Sequence, residues 1–332
     1  MKLQDDEARR QIREHTARTL FVEAGAGSGK TTSLVGRIAT LVLEDGVPLA
    51  RVAAVTFTEK AGAELRDRLR AEFERVGREA ALETHRTLAN RALEDLDGAA
   101  IGTLHSFAQR ILAEHPIEAG IPPLVEVLDE VGSSVAFTER WSAMLADLLD
   151  DDAMAQPLLL ALALGVKLPQ LRTLAQLLGS DWDLIEDRVL AADPMPFAME
   201  DLAAFADEAR IVAAYADDCS DPDDKLLVHF RTLAAVLDRF DAAPNDQGRL
   251  AEIRAISEVS YAHGRAPVWR DKPAAVAAGR SLAESAETLL ARVAAACLRH
   301  LTRWIGQRVL AAADERRAEG RLEFHDLLVL AR

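Results

Sequence analysis

A glycine-rich loop between a predicted strand and a predicted helix constrains the fold of this chain more than any other feature. The loop runs from Ala24 to Thr32 and reads A-G-A-G-S-G-K-T-T. An apolar run precedes it and an amphipathic run follows it, which is the strand–loop–helix setting of a phosphate-binding loop. Glycines let backbone N–H groups turn toward phosphate oxygens, and the new helix directs its positive end at them. The sequence therefore predicts nucleotide binding.

The polar residues of the loop have distinct predicted roles. Lys30 is expected to reach the β- and γ-phosphates, and the hydroxyl of Thr31 is expected to ligate Mg²⁺. These two are the predicted catalytic residues, and Thr31 is the predicted metal ligand. Ala24 stands where the G-x-x-x-x-G-K-[ST] pattern has its first glycine. The predicted cofactor-binding residues of the loop are Ala24, Gly25, Ala26, Gly27, Ser28, Gly29, Lys30, Thr31 and Thr32.

Composition limits the class of protein. With 332 residues, of which 49% are apolar, the chain can bury a large core and is expected to form two domains. Cys219 and Cys297 lie far apart and predict reduced thiols in a cytoplasmic protein. The charged N-terminus does not resemble a signal peptide, and the longest apolar run, 157–166, is too short to span a bilayer. We therefore expect no membrane partner.

The net charge of −15 argues against a generally basic nucleic-acid binder. The acidic excess lies mainly after residue 120, so a nucleic-acid surface is expected mostly in the first part of the chain. Arginines and glutamates alternate between Glu64 and Glu79, which favours a solvated helix with i,i+4 ion pairs over a phosphate-binding track.

The pattern of short β-branched runs and helical runs predicts an α/β fold with a parallel sheet up to about residue 130. After Val131, leucine and alanine recur at helical spacing, which predicts an all-helical region with four tryptophans as core residues. The pattern divides the chain at about residue 130. The predicted strands are Thr19–Glu23, Val52–Phe57, Ala99–Thr103 and Leu124–Leu128. The predicted helices are Thr31–Leu43, Glu59–Val76, Ser106–Glu114 and a long helical stretch at Lys272–Val309.

Two further segments lie where predicted strands end and helices begin. They are Val55–Thr58 and Ile101–Phe107, and this edge of a parallel sheet is where such folds place their sites. Hydroxyls and helix N-termini can hold phosphates, while Phe57 or His105 could stack on a base of single-stranded nucleic acid. Other interpretations stay open. Thr58 could be a helix N-cap, Phe57 a core residue and His105 a hydrogen-bonded polar group.

The three segments together resemble the UvrD/Rep family of superfamily 1 DNA helicases, and most closely its RecB/AddA-like branch. F-V-E-A-G-A-G-S-G-K-T-T, A-V-T-F-T-E-K-A-G-A-E-L-R and I-G-T-L-H-S-F-A-Q-R look like motifs I, Ia and Ib of that family. The run 322–328 looks like the F-x-D-L segment before motif II. The resemblance implies a RecA-like, P-loop NTPase sheet domain with a large all-helical insertion, and with it the full division into 1–130, 131–320 and a return segment, 321–332.

The resemblance also implies an activity and its site residues. It implies ATP- and Mg²⁺-dependent translocation, usually 3′ to 5′, on single-stranded DNA or a single/double-strand junction, in repair or recombination. A nuclease domain or a partner subunit is possible. Arg37 becomes a weaker cofactor-binding candidate. The implied DNA contacts are Thr56, Phe57, Thr58, Thr103 and His105.

The sequence departs from the family pattern in two places. The adenine-reading glutamine is expected four residues after Leu3, where the chain has Glu7. A carboxylate could accept a hydrogen bond from the adenine amino group, but it cannot donate one to N7 of the adenine ring. Motif II, an apolar strand ending in D-E-x-Q-D, does not follow Leu328, and the sequence stops at Arg332. We therefore expect the isolated chain to bind nucleotide and to hydrolyse it poorly.

Three functions remain open from the sequence. The first is the ATP-binding portion of a DNA helicase. The second is a complete small P-loop NTPase or kinase, in which Asp129 and Glu130 supply the Mg²⁺ site at the end of a strand-like run. The alternative for these two residues is an acidic helix start. The third is a non-catalytic, helicase-like binding protein.

Overall fold

The computed structural model describes residues 5–25, 27–192, 197 and 200–332. Two units are distinguished, one formed by Met1–Val127 with Arg317–Arg332 and the other by Leu128–Arg316. The helices are α1 (Asp6–Glu14), α2 (Lys30–Leu43), α3 (Glu59–Glu79), α4 (Glu83–Asp95), α5 (Leu104–Glu114), α6 (Pro116–Ala119), α7 (Glu130–Asp150), α8 (Asp152–Ala163), α9 (Leu168–Ser180), α10 (Leu202–Ala213), α11 (Lys225–Ala242), α12 (Asp246–Ser257), α13 (Lys272–Glu319) and α14 (Phe324–Leu330). The strands are β1 (Ala53–Thr56), β2 (Ala100–Thr103), β3 (Glu126–Val127) and β4 (Arg321–Leu322).

The first unit contains two pairs of parallel strands. In one pair, β1 lies beside β2, with Ala53 opposite Ala100 and Thr56 opposite Thr103. Parallel strands need a long crossover connection, and here α3 and α4 provide it. In the other pair, β3 lies beside β4, which brings Val127 opposite Leu322.

Two clusters of apolar residues form the interior of the first unit. The larger one joins α2, α3, α4 and β2. Its members include Ile38, Val42, Leu65, Leu69, Phe73, Leu96 and Ile101. The smaller one holds α5 and α14 together, and it consists of Ala108, Leu112, Ile121, Leu322 and Leu327. These clusters fix the helix N-termini that follow β1 and β2.

The predicted elements of the first unit are mostly confirmed, with one clear error. The predictions for β1, β2, α2 and α5 are correct within two residues, α3 is three residues longer, and the predicted strand at Leu124–Leu128 shortens to β3. The predicted strand Thr19–Glu23 is wrong: the segment pairs with no described strand. A β-strand requires hydrogen bonds to a neighbour, and an apolar run alone does not supply one. Phe21, in that run, is 95% exposed.

Helices make up nearly all of the second unit. One apolar cluster runs through it, and the long helix α13 contributes a buried residue on almost every turn of its first two-thirds. Three tryptophans are buried and the fourth packs against the cluster, so the prediction of core tryptophans is confirmed. These residues are Trp141, Trp269 and Trp304, with Trp182 at the margin. Cys219 and Cys297 are free thiols, as predicted.

Among the described residues, no helix on its own is both long enough and apolar enough to cross a membrane. Helices α8 and α9 reach the required length and apolar content only when taken together, and a bend of 117° separates them.

A buried carboxylate organises one end of the second unit. Asp224, 2% exposed, accepts hydrogen bonds from the backbone N–H groups of Leu226 and Arg265 and from the indole of Trp269, at 2.9, 2.7 and 3.1 Å. Burial of the carboxylate opposes its ionisation, but these donors outweigh burial and lower the pKa of Asp224 below its ordinary value. A side chain at Gly264 would collide with this carboxylate.

We predict that this carboxylate stabilises the second unit in a pH-dependent way. Because the folded pKa is lowered, the stabilisation is complete above the unfolded value of 3.8 and is lost as the pH falls through the folded value. Asp224→Ala should reduce the free energy of unfolding at pH 7 by about 2–4 kcal/mol, since it leaves buried donors unpaired. Urea unfolding followed by tryptophan fluorescence measures this, with the exposed neighbour Asp223→Asn as the control. Equal unfolding midpoints for the two variants would contradict the prediction.

Candidate nucleotide and nucleic-acid site

The glycine-rich loop adopts a conformation that only glycine tolerates well. Gly27 and Gly29 have φ angles of 75° and 83°, in the left-handed region. Gly29 is the N-cap of α2, so the free N–H groups of the first helical turn follow directly. The hydroxyl of Ser28 donates to the carbonyl of Gly25 at 2.8 Å, which closes the loop on itself. Of the predicted loop residues, Ala26 lies outside the described residues.

The ammonium of Lys30 lies over the same loop. Its Nζ donates to the carbonyl oxygens of Ala24 and Gly25, at 2.8 Å each. Thr31 is half-buried and Thr32 is exposed, both in the first turn of α2. A positive charge, a helix N-terminus and two left-handed glycines therefore meet at one place, and this is a donor set for an anion with several oxygen atoms.

Arg37 is directed away from this loop. Its guanidinium donates to the carbonyls of Ile12, His15, Thr16 and Arg18, between 2.7 and 3.1 Å away. These carbonyls close the end of α1 and the segment that follows it. Arg37, the weaker cofactor-binding candidate, is thus engaged with backbone in this structure and fixes α1 beside α2.

Glu7, which stands where an adenine-reading glutamine was expected, is also engaged elsewhere. Its carboxylate accepts from Arg10 at 2.6 Å and from Gln11 at 3.2 Å, all on the exposed side of α1. The side chain of α1 that does reach the loop is Arg9, whose Nη2 donates to the carbonyl of Ser28 at 2.5 Å. The sequence interpretation missed Arg9, because no motif marks it.

Three of the predicted DNA-contact hydroxyls hold the ends of β1 and β2. Thr58 caps α3 by accepting from the N–H of Ala61 at 3.1 Å, so its helix-cap interpretation is confirmed. Thr103 caps α5 in the same way. It also donates to the carboxylate of Glu59 at 2.8 Å, which links the two strand ends. The hydroxyl of Thr56 lies near the carbonyls of Thr58 and Gly102, at 3.0 and 3.2 Å.

The aromatic residues at these strand ends differ in their exposure. Phe57 is fully exposed, so its interpretation as a core residue is wrong. His105 is half-buried, and its ring meets the edge of Phe324 with the centroids 5.2 Å apart and the planes at 89°. Phe324 is itself half exposed. The sequence predicted for Phe324 only a place in the F-x-D-L segment before motif II. The contact with His105 shows that Phe324 lies at the same edge as the ends of β1 and β2.

Charges on α3 are largely compensated. Arg68 pairs with Glu64, Arg75 with Glu72 and Glu79, and Arg78 with Glu74. Exposed pairs of this kind add little stability, but they do lower the positive charge available to phosphates. The predicted solvated, ion-paired helix is confirmed.

Asp129 and Glu130 form a helix start. The Oδ1 of Asp129 accepts from the N–H of Gly132 at 2.7 Å, and Glu130 is the first residue of α7. This confirms the interpretation as an acidic N-terminus. The carboxylate that a complete small NTPase or kinase would need for Mg²⁺ is thus occupied in capping α7.

Comparison with known proteins agrees with the geometry. Residues 5–217 match the sequence model of the family described as UvrD/REP helicase N-terminal domain. A protein named DNA helicase II, from Haemophilus influenzae, is 40% identical over 109 residues, which are 33% of this chain and 13% of that protein. An ATP-dependent helicase/nuclease subunit of Syntrophomonas wolfei is 35% identical over 133 residues, or 40% of this chain and 10% of that protein. The matched part is therefore a small fraction of these relatives.

We predict that close packing of α3 on β2 sets the positions of the strand-end residues. A Cβ at Gly62 would lie 3.0 Å from the Cα of Gly102 and 3.3 Å from Oγ1 of Thr56. Gly62→Ala should therefore displace α3 and destabilise this contact by about 1–3 kcal/mol. The measurement is hydrogen exchange in peptides covering β1, β2 and the start of α3, where protection should fall.

The matched control for that variant is Gly77→Ala in the same helix. Its Cβ would meet only the side chain of Asn90, which can turn away. Alanine is favoured over glycine inside a helix, so this control is expected to keep or raise protection. Equal protection in the two variants would contradict the close-packing interpretation.

Proposed function

The chain belongs to the UvrD/REP helicase N-terminal domain family, and from this premise we propose that it is the ATP-binding portion of an ATP-dependent motor that moves on single-stranded DNA. The observation that supports the proposal best is the loop of left-handed glycines with Lys30 at the N-terminus of α2, within the region that matches the family. The proposed direction is 3′ to 5′, and the proposed task lies in DNA repair or recombination, in the cytoplasm.

The loop residues fit ATP with Mg²⁺. In our proposal the N–H groups of residues 27–32 and the ammonium of Lys30 hold the β- and γ-phosphates, and Thr31 supplies a hydroxyl oxygen to Mg²⁺. Lys30 must then exchange the carbonyls of Ala24 and Gly25 for phosphate oxygens. That exchange replaces neutral acceptors by charged ones, which strengthens each hydrogen bond. Bound Mg²⁺ neutralises charge that develops on the phosphates.

The strand-end aromatics fit bases of single-stranded DNA. Phe57 is an exposed ring with no polar group, and the pair formed by His105 and Phe324 offers a second apolar edge. Such rings stack on any base, whereas the threonine hydroxyls at the same edge are used mainly to cap α3 and α5. We propose that Thr56, Thr58 and Thr103 act on DNA chiefly by fixing the helix N-termini that face phosphates.

Hydrolysis requires groups beyond those on this edge. A carboxylate must orient the attacking water, and positive groups must stabilise the transition state. Asp129 caps α7, and no D-E-x-Q-D sequence occurs in the chain. We therefore propose that the 332-residue chain binds ATP with slow or no turnover. A nuclease domain or partner protein belongs to the proposal as well, since several relatives are named as subunits of an ATP-dependent helicase/nuclease.

Lys30→Ala tests the nucleotide proposal. Removing a charged donor from the phosphates should weaken binding of a fluorescent ATP analogue with Mg²⁺ by a factor of about 100, corresponding to roughly 3 kcal/mol. The control is Lys60→Ala, a lysine in the first turn of α3 that the loop does not include. Unchanged affinity in Lys30→Ala would refute the assignment of the loop.

Phe57→Ala and Phe324→Ala test the DNA proposal. A base–aromatic stack contributes about 1–3 kcal/mol, so each variant should bind a fluorescent oligothymidine at least several-fold more weakly. Phe21→Ala is the control, because Phe21 is nearly as exposed as Phe57 but does not follow β1 or β2. If Phe57→Ala and Phe324→Ala bind the oligothymidine with the same affinity as Phe21→Ala, the strand ends are not the DNA-binding edge. Lys30→Ala, in contrast, is expected to bind the oligothymidine as tightly as wild type.

A further inference from the structure

We propose that Arg9 is a positioning residue for the nucleotide: it holds the peptide between Ser28 and Gly29 so that the N–H of Gly29 faces the phosphates. The inference rests on the proposed nucleotide site and adds a residue to it from outside the loop. Neither the loop motif nor the resemblance to the helicase family assigns a role to Arg9.

The contacts of Arg9 place its guanidinium on the carbonyl side of the loop. Its Nη2 donates to the carbonyl oxygen of Ser28 at 2.5 Å. A Cβ built on Gly29 would lie 3.0 Å from Nη1 of Arg9, so the guanidinium also packs directly against Gly29. The side chain is 30% exposed, compared with 57% for the neighbouring Arg10. Arg9 therefore faces the loop, whereas Arg10 pairs with Glu7 in solvent.

Peptide planarity converts this contact into an orientation. In a trans peptide the C=O and the following N–H point in opposite directions. Because Arg9 donates a hydrogen bond to the carbonyl of Ser28, the N–H of Gly29 points away from Arg9. Gly29 is the N-cap of α2, so this N–H joins the free N–H groups of the first helical turn, which bind anions. A left-handed glycine rotates easily, so the peptide needs an external restraint.

Asp5 holds Arg9 itself in place, and Arg37 holds the helix that carries it. Asp5, the N-cap residue of α1, pairs with the guanidinium at 2.8 Å. The hydrogen bond from Arg9 lowers the pKa of Asp5 below its ordinary value, because it favours the charged carboxylate. At the other end of α1, Arg37 binds the carbonyls that close the helix. Helix α1 is thus fixed beside α2 at both ends, so the backbone that carries Arg9 is held in position.

The test compares three single variants of the 332-residue chain by titration with a fluorescent ATP analogue and Mg²⁺. Arg9→Met keeps the length of the side chain but removes the donors, and we expect about tenfold weaker binding, the loss that corresponds to one charge-assisted hydrogen bond. Arg9→Lys restores one donor, and we expect binding within about threefold of wild type. Arg10→Met, the matched control, should bind as wild type does.

The outcomes separate this inference from the function on which it rests. If Arg9→Met binds like Arg10→Met while Lys30→Ala does not bind, the nucleotide site stands and the role of Arg9 is refuted. If Arg9→Lys is as weak as Arg9→Met with an unchanged thermal unfolding midpoint, donation to Ser28 is not the cause and the inference is also refuted. If wild type and Lys30→Ala bind equally, the proposed function itself fails.

Discussion

The contact between Gly62 of α3 and Gly102 of β2 fixes how the start of α3 lies on the ends of β1 and β2, which form much of the candidate DNA-binding edge. No side chain separates the helix from the strand at this point, so the N-terminus of α3 is drawn onto the end of the sheet. Thr103 can then reach Glu59, and the two strand ends become one surface. The hydroxyls on that surface hold it together, while Phe57 is fully exposed and Phe324, half exposed, contacts the half-buried ring of His105.

The glycine-rich loop is shaped by a different constraint. Its shape depends on left-handed glycines, which have little intrinsic preference for one orientation of the peptide. Helix α1 compensates for this freedom, because Arg37 fixes one end of it and Arg9 contacts the loop from the other. The loop sequence therefore marks a candidate phosphate-binding element, whereas the contacts that hold its conformation include a helix outside the motif.

Local signals in the sequence predicted much of this arrangement. The glycines of the loop, the caps at Thr58 and Asp129 and the ion pairs of α3 act over a few residues, and each is where the sequence placed it. The predicted strand at Thr19–Glu23 is wrong because pairing depends on a distant neighbour. Phe324 was missed because it meets His105 only after the chain has passed through the whole second unit. Phe57 was open to two interpretations, a DNA contact or a core residue, because apolar character does not reveal burial; its exposure excludes the second.

The most direct test of the nucleotide-binding claim is a titration of the chain, labelled with ¹⁵N at its 18 glycines, with a non-hydrolysable ATP analogue and Mg²⁺. We expect the amide resonances of Gly25, Gly27 and Gly29 to shift and saturate together, while those of Gly248 and Gly279 in the second unit stay in place. Absence of any shift in the three loop glycines, or equal shifts across both units, would contradict nucleotide binding at this loop.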